Sequence, residues 1–249
     1  MTDIDAICKR WDSENAGMVH NHVQVHSRLL ANNIPALRGM IDIGSNTGLF
    51  YDAMKSKMTI DHCWMIEANV HLASYARSKY DSNSVSVVSA AIGNSNGVAY
   101  FFPDDPFTER SPNRHNLGLG RVLSKSEKVH SDCVQIPMIT ISSFLTEQMF
   151  ETVDLIKIDT ENMDFTILED LISVIPKFKQ LPIISFECNW QDVPRDFAPT
   201  MSPKAILETY ANMGYYHIDD IGSVQDSNGR WNYIDDLMLY PVDPRKESV

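Results

Sequence analysis

The chain has 249 residues, with 21 Lys plus Arg against 33 Asp plus Glu, a formal net charge of −12. Apolar residues make up 43% and charged residues 22%, the mixture of an ordinary globular protein long enough for one large α/β domain. The charge counts against a nucleic-acid partner, the apolar runs fall far short of the roughly 20 residues of a membrane span, and Met1 to Arg10 lacks the apolar core of a signal peptide.

Residues 1–37 read as a polar helical extension, with Val19, Val23, His26 and Leu30 roughly on one face and Asn32-Asn33-Ile34-Pro35 as its stop. His22 and His26 stand at i, i+4. With no third ligand nearby they read as a helix face rather than a metal site. From residue 38 strands and helices alternate. Strands are expected at Met40 to Ile43, Cys63 to Ile66, Val85 to Ala91 and Val98 to Phe102, with helices at Leu49 to Met58 and Val70 to Tyr80. This rhythm predicts βαβ units and a parallel sheet over residues 38–249.

Residues 103–131, rich in Pro, Asp and Gly, interrupt the rhythm as a long irregular segment, a surface insertion or a functional lid carrying Phe107, His115, Asn116 and Arg121. Beyond it a strand is expected at Val134 to Met138 and a helix at Ile141 to Met149. A strongly apolar strand runs from Val153 to Asp159, and a helix carries Ile167, Leu171 and Ile175. Next come a strand at Pro182 to Phe186 and a helix at Pro203 to Met213 capped by Ser202. Tyr215 to Ile218 and Leu237 to Tyr240 form a closing pair of strands. The cysteines Cys8, Cys63, Cys133 and Cys188 never form C-x-x-C, which excludes a zinc ribbon or redox dithiol and fits a cytoplasmic location.

Three segments carry chemistry. The first is Asp42-Ile43-Gly44-Ser45-Asn46-Thr47-Gly48, between a strand and a helix. Glycines there allow a tight turn and close approach of backbone to ligand. No Lys follows the last Gly, so this is not a P-loop. No middle Gly is present to admit a pyrophosphate, which weakens a dinucleotide reading. A nucleoside without phosphates remains, such as S-adenosylmethionine, with Asp42 near its ammonium group and Gly44, Asn46 and Gly48 shaping the turn. The second is Glu67, which closes the next strand and can accept both ribose hydroxyls, with Ala90 and Ala91 lining an adenine slot. The third is Lys157-Ile158-Asp159-Thr160-Glu161, at the carboxyl end of an apolar strand. Lys157 and Asp159 share a side there. They form a structural ion pair, supply a general base, or, through Asp159 and Glu187, hold a hard cation such as Mg²⁺ or Mn²⁺.

In order and spacing these segments, with Ala90-Ala91-Ile92-Gly93 and Ile184-Ser185-Phe186-Glu187, resemble the FkbM-type methyltransferases over about residues 38–190. The resemblance implies a class I, Rossmann-like α/β sandwich, with a seven-stranded, mostly parallel sheet and an antiparallel last strand. It also implies S-adenosylmethionine as cofactor and O-methylation of a hydroxyl on a small-molecule, sugar or glycan acceptor. It places Gly44, Gly48 and Glu67 at the cofactor and Lys157, Asp159 and Glu161 at the catalytic edge. The family follows its Glu with Gly and then a second Glu, where this chain has Asn162 and Asp164. A nicotinamide-dependent oxidoreductase and a non-catalytic cofactor-binding module are the competing readings.

Overall fold

The computed structural model describes residues 4–31, 36–80, 82–103, 117, 120–123, 127, 129, 131–161, 163–187, 196–218, 223–225, 231–233 and 236–241. The side chains of His22 and His26, and residues Phe107, His115, Asn116, Asn162 and Cys188, lie outside the described residues.

A long helix, α1 (Ile4–Ala31), precedes the alternating region. The alternation then runs β1 (Ala36–Ile43), α2 (Leu49–Lys55), β2 (Thr59–Glu67), α3 (Val70–Tyr80) and β3 (Val85–Ser89). Four short strands follow: β4 (Ala91–Ile92), β5 (Gly97–Phe102), β6 (Arg121–Val122) and β7 (Val134–Ile139). The chain continues with α4 (Ile141–Phe144), α5 (Glu147–Thr152), β8 (Leu155–Ile158), α6 (Asp164–Ile172), β9 (Ile183–Glu187), α7 (Pro203–Asn212) and β10 (Tyr216–Ile218). It closes with β11 (Ser223–Gln225), β12 (Trp231–Tyr233) and β13 (Asp236–Tyr240).

The main sheet has the order β10-β13-β9-β8-β1-β2-β3. The strands from β9 to β3 pair in parallel, and β13 runs antiparallel to both β9 and β10. Strand alternation sends Ile41, Ile43, Ile156 and Ile158 into one apolar layer with α6 and α7. It sends Met40, Leu155, Met65 and Cys63 into the other, against α2. Asp42 and Lys157 fall on the α2 face and stand opposite each other in register.

Three expectations change. The strand expected from Val85 to Ala91 ends at Ser89 in the main sheet, and Ala91 begins β4 of a second sheet. Val98 to Phe102 and Val134 to Met138 do not extend the main sheet. They lie in a separate four-stranded sheet of order β4-β7-β5-β6, where β5 and β7 pair antiparallel. Alternation within each strand marks a sheet with one buried face, but not which sheet it joins. The single helix expected from Ile141 to Met149 is two, because Leu145 and Thr146 are extended. The side chain of Thr140 caps the first by accepting from Ser143 N–H. Ser202 caps α7, accepting from Ala205 N–H at 3.3 Å, and Pro203 occupies the first turn. Among the described residues no helix is long and apolar enough to cross a membrane.

Candidate functional site

A cavity of about 680 Å³ opens at the carboxyl ends of β1, β2 and β8, within the ~300–1,000 Å³ common for small-molecule sites. Gly44, Asn46, Glu67, Ala90, Ala91, Lys157, Asp159 and Glu161, predicted from the sequence on separate segments, all line it.

The glycine turn is pinned from both sides. Gly44 N–H donates to Ile66 O at 2.9 Å, and Asp159 N–H donates to Ile43 O at 3.0 Å, so β1 meets both neighbours where the turn begins. Gly44 has φ +74°, and a Cβ there would collide with the Asp159 carbonyl. Gly48 has φ +83° and faces the Tyr80 ring, whose hydroxyl donates to Gly48 O at 3.0 Å. Both glycines were expected to admit a ligand. Gly44 borders the cavity and also admits β8, whereas Gly48 is not among the cavity's lining residues and admits Tyr80. Asn46 sits at φ +51°, and its N–H donates to Glu67 Oε2 at 2.8 Å.

Glu67 receives a second backbone bond at Oε1, from Asn69 N–H at 2.7 Å. Burial raises its carboxyl to about 7 against the pull of these two amides. Each oxygen keeps a lone pair for a ligand donor. Between these anchors, Ser45 Oγ and Thr47 Oγ1 are buried on the cavity lining with no hydrogen-bond partner among the described residues. Buried hydroxyls are rarely left so, and a polar ligand would satisfy them. Neither hydroxyl stands out in the sequence, because hydroxyls in a glycine-rich turn look like ordinary turn formers.

Asp42 is placed differently from the expectation. It was set near a ligand ammonium, but its side chain is fully buried on the α2 face and does not line the cavity. Its partner is Lys157, with Nζ at 3.4 Å from Oδ1. That ammonium also lies 3.0 Å from Asp159 Oδ2, donates to Gly44 O at 3.3 Å and sits 5.4 Å from the Phe50 ring centre. A buried cation demands such acceptors. Burial raises the Asp42 carboxyl and the Lys157 charge opposes that rise.

Past Asp159 the chain turns sharply. Glu161 adopts φ +65°, a conformation rare for a residue with a Cβ. Thr160 holds the turn: its hydroxyl donates to Asp164 Oδ2 at 2.8 Å and accepts from Met163 N–H at 3.2 Å. Burial, then the Asp159 and Asp164 charges, push Glu161 up to about 7. Asp164, 1% exposed, is also pushed to about 7 by burial and then by Asp159. Glu187 lies outside the cavity lining, yet one oxygen from each of Asp159, Glu161 and Glu187 falls within 4.8 Å of the others. Hard cations accept such oxygens, although Asp159 is already ion-paired with the Lys157 ammonium.

More of the wall comes from regions without a readable motif: Trp11, Asn15 and Val19 of α1, Phe101 and Val122 of the small sheet, and Leu117, Gly120 and Arg121 of the 103–131 segment. For the α1 residues the signal is the 11, 15, 19 spacing, one stripe of a helix.

The methyltransferase FkbM domain matches residues 42–216. Among solved structures, the FkbM methyltransferase of Methylobacillus flagellatus KT is 15% identical with a TM-score of 0.45, over 81% of this chain and 43% of that one. This chain therefore spans less than half the length of that protein. The precorrin-6y C5,15-methyltransferase of Geobacter metallireducens GS-15 is 14% identical with a TM-score of 0.43, over 87% and 85%. No curated protein matches the chain. With the glycine turn, Glu67 and the Lys157-to-Glu161 segment all inside the matched stretch, the chain belongs to the FkbM methyltransferase family.

Proposed function

We propose that the protein is an S-adenosylmethionine-dependent O-methyltransferase acting on a hydroxyl of a sugar, glycan or other natural product. The observation that carries the reading is the convergence on one cavity of the glycine turn, the buried Glu67 carboxylate and the Asp159-to-Glu161 edge. The donor set suits the cofactor: Glu67 has lone pairs for two ribose hydroxyls, Ala90 and Ala91 leave room for a flat base, and Ser45 and Thr47 offer unpartnered hydroxyls. When bound, S-adenosylmethionine supplies an electrophilic methyl group on a sulfonium.

The side chains do the remainder. A sugar hydroxyl is a weak nucleophile at neutral pH and needs a group to take its proton. Asp159 and Lys157 are the expected bases, but each is engaged in an ion pair with the other at 3.0 Å, and Lys157 also faces Asp42. Glu161, on the cavity wall and pushed up to about 7, is better matched to that task, and its strained backbone is of the kind that marks functional positions. Lys157 fixes Asp159 and the Gly44 carbonyl, so both edges of the site keep their spacing. The Asp159, Glu161 and Glu187 oxygens are chemically suited to Mg²⁺ or Mn²⁺, and the proton transfer through Glu161 does not require one.

The test is calorimetric titration with S-adenosylhomocysteine, followed by transfer of a labelled methyl group to a panel of sugars and glycans. Wild type should bind in the micromolar range. Glu161→Gln should bind within threefold of wild type and lose at least 100-fold in turnover. NADH binding with no S-adenosylhomocysteine binding would overturn the reading.

A further inference from the structure

The helix that precedes the matched family stretch is built into the cavity. Helix α1 presents two stripes, each one turn apart. Cys8 and Asp12 face α3: Cys8 is fully buried with Leu72 and Tyr75, and Asp12 Oδ2 accepts from the Tyr75 hydroxyl at 3.0 Å and from Lys79 Nζ at 2.7 Å. Trp11, Asn15 and Val19 face the cavity, and Val19 also packs against the apolar layer that holds Phe50 and Tyr51 of α2.

Lys79 is the centre of a clasp. Besides Asp12 it reaches Asp52 of α2 at 2.9 Å, and it lies 4.9 Å from the Tyr80 ring centre. Tyr80 in turn donates to the carbonyl of Gly48 at the end of the glycine turn. One ammonium therefore ties α1 to the two helices that leave the turn and the Glu67 strand. Both helices begin at the proposed cofactor anchors, and α1 lies against both.

We propose that Trp11 and Asn15 on α1 are cofactor-site residues, and that the Asp12–Lys79–Asp52 clasp holds α1 against the bound cofactor, so that the clasp sets how fast the cofactor leaves. The inference rests on the cofactor reading above. A ligand seated on the turn and Glu67 has the Trp11 and Asn15 stripe as part of its enclosing wall. Loosening the clasp removes the Asp12–Lys79 ion pair from α1 and leaves the side chains of the turn, Glu67 and the Lys157 edge unchanged.

The probe is S-adenosylhomocysteine, followed by stopped-flow fluorescence and calorimetry. Asp12→Ala and Lys79→Met should each raise its dissociation rate at least fivefold, and Trp11→Ala should weaken its affinity at least tenfold. Lys204→Ala, which removes an exposed pair with Glu208 on α7, should leave both unchanged. Hydrogen exchange should slow in residues 8–19 when S-adenosylhomocysteine binds. Lys79→Met keeps an unbranched apolar stem of similar length while removing the ammonium, so it separates the clasp from packing if Asp12→Ala misfolds. Wild-type rates in both clasp variants, with wild-type affinity in Trp11→Ala, would overturn the proposal. Failure of wild type to bind S-adenosylhomocysteine would instead overturn the cofactor reading.

Discussion

Replacing Glu67 by Ala tests the cofactor site most directly. Its two oxygens accept backbone amides at 2.7 and 2.8 Å and face the cavity. Two ribose hydroxyls donating to the same carboxylate at about 1.5 kcal/mol each give ~3 kcal/mol, or roughly a 150-fold loss in affinity for S-adenosylhomocysteine. The wild-type carboxyl sits at about 7 because burial favours its neutral form. Ribose donors favour the ionised form, so the ligand lowers this value on binding. If only the ionised form binds, affinity rises about tenfold from pH 6 to pH 8, and about half a proton is released per ligand at pH 7. Calorimetry in buffers of different ionisation enthalpy measures both quantities. In Glu67→Ala the pH dependence should flatten. A variant within fivefold of wild type, or a wild-type affinity constant across that pH range, would refute the ribose assignment.

The Asp164 carboxyl, raised to about 7, binds more protons in the folded chain than in the unfolded one. Its contribution to stability is full below about pH 4 and lost as pH rises through about 7. Asp164→Asn should therefore raise Tm at pH 8 and flatten the fall in Tm between pH 5 and pH 8; superimposed pH curves would contradict this. Gly44→Ala places a Cβ on the Asp159 carbonyl at φ +74°, costing at least ~2 kcal/mol in urea unfolding and abolishing ligand binding; wild-type stability would show that the turn is not sterically locked. At the far end of β1, Arg38 donates from Nε and Nη2 to the buried Asp154 carboxylate, at 3.2 Å and 2.5 Å. Its backbone N–H reaches the same group at 2.7 Å. Arg38→Ala should cost about 2 kcal/mol, below the fully buried range because the guanidinium is half exposed, and leave ligand affinity within twofold.

Much of the site was legible because its chemistry is local in sequence. A glycine turn after an apolar strand, an acid ending the next strand and a charged residue inside an apolar strand each violate the pattern of their surroundings. Parallel pairing then brings the ends of β1, β2 and β8 to one edge, so residues apart in sequence become neighbours. Lys157 shows where such reading stops. The pair with Asp159 follows from their shared side of the strand. Only the register, which sets Asp42 opposite Lys157, adds Asp42 as a second, buried partner.

The amino-acid sequence by itself determined the α/β alternation, the family and eight residues on the wall of one cavity, because periodicity and strand-end motifs are set by near neighbours. Tertiary structure alone decided the rest. It put β5 and β7 in a second sheet, gave Gly48 to Tyr80, raised Glu161 to about 7 by burying it beside Asp159 and Asp164, and brought Trp11 and Asn15 to the cavity. Each of these depends on which surfaces are buried against which, and a sheet face or helix stripe takes its partner from the packing of the whole chain.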